Sequence, residues 1–274
     1  MKTHHARRIW NLTWFAIAAM LLFVTDGVIS ATMGHSSFVS GWTLFLMILG
    51  LAAYQLRKRL PILPLGNVAN WLQVHIYAGL LTGCLFVIHV GYRVPDGTLE
   101  SILALLYLLV FFSGVGGLIL SRTIPPRLAS RGEEVLFERT PVFIRKLRDE
   151  VETLVFDAIE VTDTTAIPEL YQQHLQAFFE RPRHALLHLL HSKHPVGLLL
   201  NEVHATERFV NEQELVILEQ IAERVQAKDD LDYQFALQGV LKLWLFVHVP
   251  LTYSLIVIAV CHLVSASAFV SSIG

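Results

Sequence analysis

The sequence has few charged residues for its length. Of its 274 residues, 16% are charged and 54% are hydrophobic, whereas soluble domains average about 25% charged residues. This composition predicts an integral membrane protein. The net charge is −2 at pH 7, and the sequence has neither a basic stripe nor a nucleic-acid-binding motif, so we expect no nucleic-acid partner.

Cysteine and glycine motifs that mark several redox classes are also missing. The two cysteines, Cys84 and Cys261, each lie inside an apolar run, where packing is their usual role. No Cys-x-x-Cys-His sequence occurs, which excludes covalent attachment of a c-type haem to this chain. The polar part of the chain has no Gly-rich phosphate loop, so the sequence does not support a flavin or nicotinamide domain.

Five apolar segments reach or approach the length needed to cross a bilayer. The first follows a positively charged N-terminus, and its length of about 20 residues indicates a retained anchor rather than a signal peptide. A polar stretch separates the fourth segment from the fifth. We predict an all-α membrane bundle of about five transmembrane helices, with segments at residues 9–29, 42–56, 71–92, 102–120 and 237–268.

The predicted organisation has three parts. Residues 1–122 would form the first four transmembrane helices, residues 123–236 a mainly helical insertion, and residues 237–274 the fifth helix and a short tail. Lys and Arg cluster before the first segment, after the second and after the fourth. The positive-inside rule therefore places the N-terminus and the insertion in the cytoplasm and the C-terminus outside a plasma or inner membrane. The third and fifth segments then run in the same direction.

Within the insertion, apolar residues recur every three or four positions over residues 139–159 and 211–226, which predicts two amphipathic helices. Pro168 is placed to begin a third helix, and a fourth is expected over residues 183–190. In that fourth helix, His184, His188 and His191 share one face, with His194 just beyond. This pattern fits either a zinc site or a solvent-exposed helix face that binds no metal.

Four histidines in the apolar segments carry the functional argument. His75 and His89 lie in the third segment and His248 and His262 in the fifth, and each pair is 14 residues apart. That interval separates two side chains by about 21 Å along a helix and returns them to within about 40° of one face. On parallel helices, His75 would be level with His248 on the cytoplasmic side, and His89 with His262 on the outer side.

Ionisable residues at membrane depth are costly and usually functional. The matched register predicts two bis-histidine sites, each holding a non-covalent b-type haem. The spacing excludes a single ion bound by all four histidines.

Small and cationic residues near the histidines suit such sites. Gly79 and Gly83 in the third segment, and Gly117 in the fourth, would let a porphyrin approach the backbone. Arg93 and Lys242 lie at depths suited to pairing with haem propionates. The same residues also serve plain helix packing and snorkelling to lipid headgroups.

The arrangement resembles the dihaem transmembrane b-type cytochromes, in which His-x13-His pairs recur on two helices. Placement on the third and fifth segments looks most like the ferric reductase-like and NADPH oxidase-like membrane domain. The resemblance implies electron transfer through two haems to an external acceptor such as a c-type cytochrome. That group usually carries a C-terminal flavin and nicotinamide domain, and this chain stops soon after its last apolar segment. A separate donor is therefore expected, either membrane quinol or a cytoplasmic flavoprotein.

Two further hypotheses for the function remain. The chain could be the quinol-oxidising cytochrome b subunit of a larger complex, with a quinone pocket beside one haem. It could instead be a non-redox transporter or scaffold whose membrane histidines relay protons. The non-redox hypothesis predicts a colourless protein.

Overall fold

The computed structural model describes residues 4–33, 36–59, 68–91, 93–131, 135–162, 165–183, 185–190 and 194–271. This part of the chain is about 90% helical and contains no strand, which confirms the all-α prediction. The helices are α1 (His4–Met33), α2 (Ser36–Arg59), α3 (Val68–Val90), α4 (Thr98–Leu128), α5 (Thr140–Thr162), α6 (Ala166–Leu170), α7 (Gln176–Phe179), α8 (Ala185–Leu189), α9 (His194–Thr206) and α10 (Glu212–Ser271).

Four of these helices are long and apolar enough to cross a membrane. They are α2, α3, α4 and α10, which contain the second, fourth and fifth predicted segments and, in α3, residues 71–90 of the third. The first predicted segment lies in α1, whose described apolar stretch, Thr13–Ile29, is shorter. Large apolar side chains on these helices, such as Leu46, Phe112 and Phe246, are more than half exposed. An exposed apolar surface of this kind suits contact with lipid rather than with water.

The chain divides into two compact units. The first comprises residues 1–118 and 244–274, and the second comprises residues 119–243, compared with predicted boundaries at 122 and 236. In the first unit, α2, α3, α4 and α10 meet in one apolar cluster of buried side chains: Leu44, Ile48, Leu85, Tyr107 and Leu255. This convergence fixes the four helices around the histidines, because dense interior packing leaves little freedom for them to shift.

The second unit has its own core, built from α5, α6, α7, α9 and the first half of α10. The helix predicted over residues 139–159 is observed as α5, and that predicted over 183–190 as the shorter α8. Around Pro168 the chain forms α6, then a π-helical turn, Tyr171–Leu175, and then α7. Ile167, Leu175 and Phe179 from this run are almost fully buried, so the irregular turn serves to direct apolar side chains into the core.

The helix α10 is one continuous element of 60 residues, where the sequence predicts two helices separated by a break. Its start is capped by Asn211, whose side-chain oxygen accepts the backbone N–H groups of Gln213 and Glu214, each at 2.9 Å. Glu214 in turn accepts the N–H of Asn211, which completes a capping box. Residues 227–236 contain neither Gly nor Pro, so nothing in the backbone ends the helix there.

A buried ion pair lies on this continuous stretch of α10. Lys228 Nζ is 2.5 Å from Asp232 Oδ2, and both side chains are 0% exposed. Lys228 also donates to the carbonyl of Arg181 at 3.0 Å and lies over the ring of Phe178. Burial raises the pKa of Asp232 to about 6, because Lys228 only partly offsets the cost of removing a carboxylate from water.

Candidate functional site

His89 and His262 face each other at one end of the first unit. His89 comes from the last turn of α3 and His262 from α10, and their ring centres are 6.5 Å apart with the ring planes at 84°. Both line a cavity of about 570 Å³. Its other walls come from α2, α4 and the loop between α3 and α4. The structure therefore brings together two of the four histidines that the sequence singles out.

The His89 ring is held in one orientation by α2. Its Nδ1 atom is 3.1 Å from the carbonyl oxygen of Ser37 and 3.3 Å from Oγ of Ser40. A carbonyl oxygen only accepts hydrogen bonds, so Nδ1 donates this one, and in a neutral ring Nε2 then presents its lone pair. Metal-ligating histidines are commonly fixed in this way, by a hydrogen bond from the ring nitrogen that does not bind the metal.

Gly41 on α2 lies directly against the same ring. A Cβ atom at this position would be 2.8 Å from Cε1 of His89 and 3.3 Å from Nδ1. Gly41 and Ser37 are not among the site residues predicted from the sequence. The available signal was the run of small residues Ser37, Ser40 and Gly41 near the start of the second apolar segment, since small residues mark close helix approach in membranes.

The residues at this cavity fit a bis-histidine haem. Two imidazoles on opposite sides of one metal have ring centres about 6 Å apart, since each metal–nitrogen bond is about 2 Å. The observed separation is 6.5 Å. The cavity volume is within the usual range for bound cofactors, roughly 300 to 1,000 Å³. Arg93 lines the cavity, so its cation is placed to pair with a propionate. Asp96 and Glu100 also line the cavity and add two carboxylates to its wall.

Tyr107 forms part of the cavity wall on the side of the apolar cluster. Its ring stacks on Phe86 at 4.2 Å between centres, and its hydroxyl donates to Oγ1 of Thr82 at 3.1 Å. The hydroxyl of Thr82 donates in turn to the carbonyl of Gly79 at 2.7 Å. These bonds satisfy the polar groups of a phenol that is only 5% exposed, so Tyr107 can serve as a rigid wall.

His248 lies on α10 against α4. Its Nδ1 atom is 3.2 Å from Oγ of Ser113, and its ring stacks on Trp244 at 5.4 Å between centres. Trp244 is itself fixed, since its indole N–H donates to the carbonyl of Ser113 at 2.8 Å. A Cβ at Gly114 would be 3.7 Å from the His248 ring.

His75 lies on α3 against α2. Its ring centre is 5.1 Å from that of Tyr54. It lines a smaller pocket of about 240 Å³, together with Gly50 and Trp71. The contacts described for His75 come from α2 and α3, and those described for His248 come from α4 and α10. The pairing of these two histidines stays a prediction.

The predicted glycines lie in different surroundings. A Cβ at Gly83 would be 2.8 Å from Phe111, and one at Gly117 would be 1.9 Å from Trp244, so both glycines admit an aromatic ring of the protein itself. A Cβ at Gly79 would have no neighbour within 4 Å. Of these three glycines, Gly79 alone has open space beside it.

Lys242, the second predicted propionate partner, is paired with Glu138. Its Nζ atom also lies 4.2 Å from the ring centre of Phe137. The hydrogen bond from Lys242 lowers the pKa of the Glu138 carboxyl, which keeps Glu138 charged.

Of the insertion histidines, His184 and His191 lie outside the described residues, as does the side chain of His194. His188 is buried, with Nε2 3.7 Å from Oδ1 of Asp229. Within the part of the chain that the structure describes, no group of three or more His, Cys, Asp or Glu side chains is arranged to hold a metal ion. A haem needs only two protein ligands, because the porphyrin supplies the other four.

Comparisons of this chain with protein-family models, with curated proteins and with solved structures find no match.

Proposed function

We propose that this chain is a membrane cytochrome that transfers electrons through b-type haem, with one haem held between His89 and His262. One observation carries the proposal: two imidazoles from different helices lie 6.5 Å apart on a shared cavity. The hydrogen bond from Nδ1 of His89 to Ser37 supports it, because it leaves Nε2 available to a metal.

Each residue at the cavity has a defined task in this proposal. His89 and His262 would both bind the haem iron, which would favour electron transfer over oxygen binding. Arg93 offsets the negative charge of the propionates at the cavity mouth. The apolar wall around Tyr107 and Phe86 excludes water and so influences the reduction potential. When bound, haem supplies a one-electron couple between ferric and ferrous iron.

We further propose a second b-type haem between His75 and His248. The support is the 14-residue interval shared by both helices, which sets the two sites about 21 Å apart along each helix. The hydroxyl of Ser113 contacts Nδ1 of His248, as the hydroxyl of Ser40 contacts Nδ1 of His89. Two such sites would give electrons a route across the bilayer.

In the orientation that we propose, the N-terminus and the insertion are cytoplasmic, and the His89/His262 site lies near the outer face of a plasma or inner membrane. Electrons would enter from membrane quinol or from a cytoplasmic donor and leave to an external acceptor such as a c-type cytochrome. If the donor is quinol, the chain would serve as the cytochrome b subunit of a larger quinol-oxidising complex.

The test is a reduced-minus-oxidised visible spectrum of the purified protein, with haem quantified as the pyridine haemochrome. We expect two b-type haems per chain in the wild type and one in His89→Ala. His204→Ala is the matched control, because His204 is exposed and pairs with Glu207 within the insertion. Its haem content should equal that of the wild type. A wild-type protein without a Soret band, despite haem supply during expression, would overturn the proposal.

A second candidate is a non-redox protein that relays protons. Asp96 and Glu100 line the same cavity as His89 and His262, and groups that titrate are what a proton path requires. This candidate predicts a colourless protein whose transport activity falls in Glu100→Gln. The haem spectrum therefore discriminates between the two candidates.

A further inference from the structure

The segment that leads into α5 is fixed to α10 at the point where the uncharged run of α10 begins. Phe137 stacks on Phe235 of α10, with ring centres 4.4 Å apart and planes at 9°. Lys242 pairs with Glu138, the next residue. Beyond Lys242 the sequence contains no Asp, Glu, Lys or Arg. In a spanning helix this last cation marks the membrane interface, so Glu138 lies at that level too.

Side-chain amides add to this attachment. Gln234 of α10 accepts the backbone N–H of Val135 at 2.8 Å, and Gln238 donates to the carbonyl of Val135 at the same distance. Gln234 also donates to the carbonyl of Arg131 at 3.2 Å. The chain just before α5 is therefore held along α10 by several contacts, and the first turns of α5 must begin within a few residues of the interface.

The residue before α5 and the first two turns of that helix expose cations and apolar side chains together. Arg139 and Arg145 are exposed, and the Lys146 side chain is 71% exposed. Val142 and Phe143 are 55% and 41% exposed. Among the described residues, Arg139 and Arg145 take part in none of the ion pairs, and Lys146 has only a 3.8 Å contact with Glu150. We call the exposed side chains of Arg139, Val142, Phe143, Arg145 and Lys146 the basic apolar face.

Within α5 the acidic residues begin at Asp149; Asp149, Asp157 and Glu160 are exposed, whereas Glu150 and Glu152 are partly buried and pair with basic side chains. Glu138, just before the basic residues, is paired with Lys242. The charge of α5 thus changes from basic to acidic with distance from the anchored end. A basic apolar surface at the interface is complementary to anionic headgroups, since guanidinium groups bind phosphates and the apolar side chains enter the acyl boundary.

We propose that the basic apolar face is a docking surface for anionic phospholipid headgroups of the membrane that α10 crosses. Contact with the headgroups holds the second unit at the bilayer surface through residues of α5, in addition to its covalent connections. The surface is independent of haem binding, because none of its residues lines either histidine pocket.

The experiment places a bimane fluorophore on Phe143→Cys in a full-length background carrying Cys84→Ala and Cys261→Ala. The protein is reconstituted in nanodiscs of phosphatidylcholine, with or without phosphatidylglycerol, that contain a lipid with a spin-label quencher at a shallow acyl position. The matched control is Phe156→Cys, which is on the same helix, about 20 Å further along it, and more exposed at 68%. Val142→Cys replaces Phe143→Cys if the latter does not purify as a monodisperse protein.

We expect strong quenching at position 143 in the anionic discs and little at position 156. Added salt, or the substitutions Arg145→Glu and Lys146→Glu together, should remove most of the quenching at position 143. Absence of quenching at position 143 in anionic discs would overturn the proposal and favour a protein partner. Equal quenching at both positions, or quenching at position 143 that is unchanged without phosphatidylglycerol, would also overturn it.

Discussion

The substitution Gly41→Ala tests whether the orientation of His89 matters for the cofactor. The new Cβ would lie 2.8 Å from Cε1 of His89, whereas non-bonded carbon atoms settle at about 3.5 to 4.0 Å. The imidazole must therefore retreat by roughly 1 Å. Such a shift stretches or breaks the 3.1 Å hydrogen bond from Nδ1 to the carbonyl of Ser37.

Loss of such a supporting bond usually weakens metal binding by about 10- to 100-fold. We expect haem at the His89/His262 site to dissociate faster from Gly41→Ala by a comparable factor. The assay follows transfer of haem from the purified protein to excess apomyoglobin. The haem at the His75/His248 site of the same protein provides an internal reference.

Gly27→Ala on α1 is the matched control, because its added Cβ would meet no atom within 4 Å. It makes the same chemical change in a helix of the same unit and should leave the rate of haem loss unchanged. Equal rates for the wild type, Gly27→Ala and Gly41→Ala would refute the reasoning that α2 fixes the ligand geometry.

Three further predictions concern stability. Lys228→Met should lower the free energy of unfolding of the second unit by about 3 to 5 kcal/mol, because it leaves Asp232 buried without its cation. Lys228 lowers the pKa of Asp232 against the larger effect of burial, so its removal raises that pKa further. Stability of this variant should therefore be greatest at low pH and fall as pH rises from the ordinary Asp pKa through the raised one. Thermal unfolding at pH 5 and pH 8 measures the difference. A loss of stability that is equal at both pH values would contradict the argument. So would a loss that remains when Asp232→Leu is added to Lys228→Met. Tyr107→Phe removes the bond to Thr82 and should cost about 1 kcal/mol, with haem content unchanged; haem loss would show that the hydroxyl has a further role. Asn211→Ala should cost about 1 kcal/mol by removing the cap of α10, seen as faster hydrogen exchange in its first turn; unchanged exchange there would argue against the cap.

Periodicity and composition predict most of the helices, because long apolar runs and three- to four-residue spacing are strong local signals. The continuity of α10 was not predictable from these signals. Residues 227–236 carry Lys228, Asp229, Asp230 and Asp232, a density of charge that is typical of an exposed linker. In the structure, Lys228 and Asp232 neutralise each other inside the second unit, so tertiary pairing allows the charged stretch to remain helical.

At the histidine site, the interval along each helix predicts which side chains share a face, because helical geometry is regular. It cannot predict the residues that another helix brings to that face. Ser37 and Ser40 reach His89 from α2, 52 and 49 residues away in sequence, and Gly41 of the same helix lies against the ring. The same limit applies to Gly83 and Gly117, whose small size admits Phe111 and Trp244. A glycine in sequence does not reveal whether a cofactor or a neighbouring ring fills the space beside it.

The haem content of single and double variants of His89 and His262 tests the central claim most directly. If the two side chains hold one haem together, His89→Ala, His262→Ala and the double variant should each lose the same single haem per chain. The second haem should remain in all three, measured as the pyridine haemochrome against protein concentration. A double variant that loses two haems where each single variant loses one would contradict the pairing, as would single variants that keep the full wild-type content.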